Sequence, residues 1–272
     1  QALHAKEVAR ENVWQRFGFQ ACGPLYAGFA AWLADRVQAL GVEHVYFLAR
    51  DGFVLQKAYE FFRTEGSSLP ASSYLYVSRR ALNVPAIEVV DDHALSFLSS
   101  YTDGLTVADC LERCGLEIDT VGIRAAGFRG PAHTIVSDDD RRRLRTLFQS
   151  QSEAVLAVAR EERAVLLRYL AHVGLTERKR VAVVDLGWHG SLQRSLMGLL
   201  RGSGIATEVH GFYLGLFRSA PIPEADKRFM HGWLFDWNGP DAREEVVRYS
   251  CEICEFAHVA PHGSVVRMSE CD

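Results

Sequence analysis

Apolar residues fall at helical spacing across 24–40, PLYAGFAAWLADRVQAL, with Pro24 near the start and Gly41 just past the end, so a helix is predicted there. The run HVYFLA at 44–49 is short, aromatic and β-branched, as in a buried strand. Arg50-Asp51-Gly52 interrupts it, FVLQKAYEFF resumes the helical period, and SSYLYVS at 72–78 reads as a second strand. Strand, crossover helix, strand implies a parallel pair in an open sheet. The alternation returns with RVAVVDL from 180, SLQRSLMGLLRGSG from 191 and EVHGFYLGLF at 208–217. Between these blocks 92–175 is helix-rich, with HTIVS its one hint of a strand. Its charge run DDDRRRLR at 138–145 suits a solvated helix start, because acidic side chains favour the positive end of the helix dipole. Residues 218–272 mix Trp233, Phe235 and Trp237 with a helix near 240–257. The expected architecture is α/β: an open, mostly parallel sheet whose halves, 1–91 and 176–272, flank a helical insertion at 92–175 of the kind that forms lids.

Composition narrows the classes. A chain of 272 residues accommodates one large α/β domain or a core with an insertion. A net charge of −4 and a pI near 6.2 leave no dominant basic face, so a nucleic-acid partner is not expected. No window approaches a membrane span, and the polar, helical start QALHAKEVARENVW is no signal peptide. Six cysteines, at 22, 110, 114, 251, 254 and 271, suggest free thiols in a reducing, cytoplasmic setting. Cys251 and Cys254 with His258 and His262 have a superficial zinc spacing, but no room for the knuckle and helix of a zinc finger; thiols on a helix are the favoured reading. A start at Gln and an end at SECD read as a domain excised from a longer protein.

Open α/β sheets bind ligands outside the carboxyl ends of their strands. One such turn is Asp185-Leu-Gly-Trp-His-Gly-Ser191. Gly187 and Gly190 permit unusual backbone angles, so the amides of Trp188, His189, Gly190 and Ser191 can converge on an anion at a helix N-terminus. Ser191 can cap the helix or bond a phosphate oxygen, and Asp185 can accept from sugar hydroxyls or hold Mg²⁺ through water. The plain alternative is a tight turn with a serine cap. The loop has neither Gly-Lys-Ser/Thr nor GxGxxG, which argues against nucleotide triphosphates and dinucleotides.

A second turn, Arg50-Asp51-Gly52, sets charges at the end of a buried strand, where they need a ligand or an internal pairing. A third, Ser78-Arg79-Arg80, offers two guanidiniums suited to bidentate phosphate recognition, or simply to solvation.

VVDLGWHGS resembles the 5-phosphate loop of type I phosphoribosyltransferases, and LARDGF resembles their pyrophosphate loop, although Asp185 is followed by Leu186 where that family has a second acid. The segments GPLYAGFAAWL, YFLARDGFVL, YVSRRAL, VVDLGWHGS and APHGSV are similar to proteins of bacterial polysaccharide gene clusters, often labelled haloacid-dehalogenase-like hydrolases. Hydrolase chemistry of that type needs DxD, and Ala49 stands two positions before Asp51.

The resemblance implies a phosphoribosyltransferase-like core in the two halves and a glycosyltransferase of O-antigen or capsule synthesis. It would move ribose 5-phosphate from phosphoribosyl pyrophosphate (PRPP) to a sugar hydroxyl, on a free or lipid-linked glycan. A phosphatase domain or protein would then leave ribofuranose. Under it, Asp51 and Asp185 are catalytic. Arg50, Gly52, Arg79, Arg80, Gly187, Trp188, His189, Gly190 and Ser191 bind the donor, and Mg²⁺ is the counter-charge. Asp51 is the preferred general base over His189, Glu252 and Glu255. Glu252, Glu255 and Trp233 would lie on the acceptor side, where Trp233, Phe235 and Trp237 stack on sugars or else form core. A phosphatase using Asp51 as nucleophile and a non-catalytic interaction domain are the competing readings.

Overall fold

The computed structural model describes residues 12–63 and 66–269, so Cys271 and the polar stretch up to residue 11 lie outside the described residues. Helix α1 (Val13–Phe17) runs through a π-helical turn at Gly18–Cys22 into α2 (Gly23–Ala39), upstream of the predicted start. Pro24 removes one donor from the ladder. The wide turn bonds the Gly23 amide to the Gly18 carbonyl, which shifts the register immediately ahead of the proline.

Then follow β1 (His44–Leu48), α3 (Gly52–Phe62), β2 (Ala71–Leu75), α4 (Arg79–Asn83), α5 (Asp92–Leu98), α6 (Val107–Arg113), α7 (Thr120–Ala125), α8 (Asp138–Ser150) and α9 (Ser152–His172). The chain continues through β3 (Arg180–Trp188), α10 (Ser191–Gly202), β4 (Glu208–Leu216), α11 (Glu224–Lys227), β5 (Met230–Gly232), α12 (Ala242–Arg248) and α13 (Cys251–Ala257). The strands form one open, all-parallel sheet in the order β2-β1-β3-β4-β5, the α/β architecture expected from the pattern.

The chain divides into two compact units. The first comprises the described residues up to Tyr76, Arg178–Gln193 and Thr207–Gly263. On one face of its sheet, Val45, Phe47, Ala182, Val184, Leu186, Phe212 and Leu214 pack against Phe29, Leu33 and Val37 of α2 and Leu55 and Tyr59 of α3. Each of the valine, leucine and phenylalanine side chains among them contributes about 1.5–3 kcal/mol on burial. The second unit comprises Val77–Glu177, Arg194–Ala206 and residues 264–269. Its core joins Leu95, Val107, Leu111, Leu144, Leu147 and Phe148, and it opens at Val77 rather than 92 because Val84 and Ile87 also belong to that core.

The HTIVS segment forms only a single antiparallel bridge, Thr106 with Thr134. The charge run starts α8 as expected: Ser137 and Asp140 form a reciprocal cap, and three aspartates fill the first turn. The stretch near 240–257 is two helices, broken at Tyr249-Ser250.

Candidate active site

In the order 2-1-3, the chain leaves β1 toward one edge of the sheet and β3 toward the other. Their carboxyl ends therefore form the topological switch point, where such sheets bind ligands. Phe47 pairs with Val184, so the turn after β1 lies level with the last third of β3. Both turns open helices, α3 at Gly52 and α10 at Ser191.

The turn after β3 is shorter than the sequence suggests. The ladder persists past Asp185, with Gly187 beside Gly215 and Trp188 beside Leu216, which leaves His189 and Gly190 to join strand to helix. This requires positive φ at Gly187 (112°), Trp188 (65°) and Gly190 (60°). Asp185 is therefore not at a strand end. It sits within β3, 8% exposed, and accepts from the Leu186 amide at 2.9 Å. The His189 amide donates to the Gly187 carbonyl at 3.0 Å, so the anion cradle narrows to the amides from Gly190 into the first turn of α10. Trp188 turns its indole into a stack with Phe217 (5.4 Å, 15°) and Phe235 (6.4 Å, 6°), while Nε1 donates to Glu255 at 3.1 Å. It braces the turn, and the exposed His189 remains at its tip with its ring edge on Phe217.

At the turn after β1, the Ala49–Arg50 peptide is cis. Arg50 is exposed and Asp51 half-buried, and the Arg50 carbonyl accepts from the Phe53 amide at 3.1 Å. Gly52 is present for packing: a Cβ there would lie 2.8 Å from the Phe47 carbonyl carbon.

No motif in the sequence pointed to Tyr74, whose hydroxyl meets His262 Nε2 at 2.9 Å and the Arg50 carbonyl at 3.5 Å. Burial, then Tyr76 and the Asp51 carboxylate, push the Tyr74 phenol up to about 12, so it remains a hydrogen-bond donor at neutral pH.

Arg79 and Arg80 belong to the second unit. Arg80, read from sequence as a phosphate ligand, is buried there in a bidentate pair with Glu162 and donates from Nε to the Arg113 carbonyl at 2.8 Å. Arg79 is exposed, with its guanidinium over the Tyr101 ring. Trp233, placed on the acceptor side, instead packs edge-on to Phe29 and against Gly28, where a Cβ would come within 2.8 Å of its ring. Glu252 is exposed on α13. Of the zinc-spaced residues, buried His258 bonds the Cys254 carbonyl at 2.6 Å while His262 meets Tyr74, and no group of metal-ligating side chains occurs among the described residues.

No family model matches the chain and no curated protein matches it. Among the described residues no helix is long and apolar enough to cross a membrane.

Proposed function

We propose that the chain is a glycosyltransferase that moves ribose 5-phosphate from PRPP to a sugar hydroxyl of a bacterial polysaccharide. The supporting observation is the pair of helix-opening turns at the β1/β3 switch point: one offers Arg50 and Asp51, the other follows buried Asp185. Helix N-termini favour anions, and a donor with phosphate at one end and pyrophosphate at the other needs two such positions.

In this reading the amides from Gly190 onward and Ser191 hold the 5-phosphate, Asp185 accepts from the ribose hydroxyls, and Arg50 meets the pyrophosphate. The C1–O bond to pyrophosphate breaks as the acceptor oxygen bonds C1, and the hydroxyl proton passes to the Asp51 carboxylate. Attack opposite the leaving group inverts the α-donor to a β-riboside. Magnesium is commonly held by one or two carboxylates plus substrate phosphates, and the buried Asp185 carboxylate would hold, through water, an ion delivered with the donor. When bound it would neutralise charge on the departing pyrophosphate. A separate phosphatase would remove the 5-phosphate, and the donor's origin would set the reaction in the cytoplasm.

The test is incubation with PRPP, Mg²⁺ and a panel of glycans, read by mass spectrometry. A gain of one phosphoribosyl unit on a glycan supports the transferase. Phosphate release from a phosphomonoester without acceptor would instead support a phosphatase, and no product across a broad panel would count against both.

A further inference from the structure

His262, in the motif APHGSV, has no part in the donor site, yet it meets Tyr74 of the edge strand β2, and both residues belong to the first unit. His262 Nδ1 lies 2.8 Å from the Gly263 carbonyl, which can only accept, so in the neutral ring the proton sits on Nδ1. Nε2 then accepts a hydrogen bond from the Tyr74 hydroxyl. Tyr76, two residues on from Tyr74 and immediately after β2, meets the Tyr74 ring edge-on (5.1 Å, 89°) and the His262 ring at 5.5 Å and 47°. Phe53, in the first turn of α3, meets Tyr74 edge-on at 5.9 Å. The outcome is a pinned three-ring surface beside Arg50 and Asp51, whose outermost ring, Tyr76, is 50% exposed.

From this geometry we infer that Tyr76 and His262 form a pyranoside-binding platform, the acceptor subsite, which presents a sugar hydroxyl to Asp51; its role in transfer rests on the transferase reading above. Aromatic faces pack on the C–H face of a pyranose, and rings fixed in advance lose little entropy on binding. Trp233 and Phe235 are unsuited to this role, because Phe235 is 3% exposed in the Trp188 stack and Trp233 packs on Phe29 of α2. The Tyr74 hydroxyl lies 3.5 Å from the carbonyl of Arg50, the residue before Asp51, and the Asp51 charge acts on the Tyr74 phenol.

Saturation-transfer NMR on the whole chain, with the methyl β-glycosides of galactose, glucose and mannose as probes, tests the platform, and calorimetric titration with PRPP and Mg²⁺ reads the donor site separately. Saturation of ring C–H protons of at least one glycoside is expected. Tyr76→Ala should weaken that glycoside roughly tenfold, the loss of one stacked ring, while Tyr76→Phe retains it. His262→Ala, which removes the ring's hydrogen bond to Tyr74, should weaken it as well. PRPP binding should be the same in all three variants, which also reports that they are folded. If no glycoside is saturated, or Tyr76→Ala binds as well as the parent, the platform is overturned even where PRPP binds. Glycoside binding lost in Tyr76→Ala, with no PRPP binding by the parent, would uphold the platform and remove the donor reading.

Discussion

The Arg80 guanidinium holds the Glu162 carboxylate through two nitrogens, one at 2.7 Å, with both side chains buried. Removing one member leaves a charge in a low-dielectric interior with no counter-charge. Glu162→Ala is therefore expected to lower stability by about 3–5 kcal/mol. Arg79→Ala, which loses only a ring contact at the surface, should cost about 0.5–1 kcal/mol. Urea denaturation of the two variants checks the contrast. Equal effects would show that the neighbouring arginines are not differentiated in this way.

Gly187 is a backbone requirement of the site. With φ at 112° and the Tyr213 Cβ 2.8 Å from where its own Cβ would stand, Gly187→Ala must both strain the chain and displace β4. A loss of roughly 2–5 kcal/mol is expected, with a changed Trp188 environment in fluorescence. Gly198, exposed on α10 with nothing within 4 Å of an added methyl, provides the opposite case. Gly198→Ala should stabilise by about 0.5–1 kcal/mol, read as a rise in melting temperature.

If Asp51 takes the acceptor proton, Asp51→Asn should lower kcat by about 10²–10⁴ while PRPP still binds. Asp185→Asn should instead weaken PRPP binding, because its carboxylate is assigned to the bound ribose. Calorimetric donor affinities beside turnover rates separate the two roles. Loss of donor affinity in Asp51→Asn alone would reverse the assignment.

Two histidines make stability depend on pH. Burial, reinforced by Arg178 and Arg63, lowers His44 to about 4, and burial with His210 and Arg36 does the same to His231, against 6.5 for the free side chain. Both rings are thus kept neutral in the fold, and between about 6.5 and about 4 the unfolded chain binds more protons. Stability should fall as pH falls through that window and level off below it. Urea midpoints at successive pH values measure the slope, which His44→Gln should reduce.

The buried strands were legible because HVYFL and VAVV are apolar on both faces, as a sheet covered on both sides demands. The reach of β3 was not, since glycine followed by a residue at positive φ reads as a break, although here both still pair with β4. Arg79 and Arg80 are alike in sequence, and their different roles depend on Glu162, 82 positions away from Arg80. The contact of Tyr74 with His262 spans 188 positions and follows no local period. Turn chemistry and hydrophobic period thus located the switch point, whereas the partners of individual side chains depended on long-range packing.

The edges of the sheet have a consequence for solubility. One is β2, five residues rich in serine, and the other is β5, only three residues long. Short, polar borders are poor templates for adding strands from a neighbouring molecule. The molecule is thereby protected against sheet-extension aggregation even though its central strands, if transiently exposed, are of the kind that seeds it.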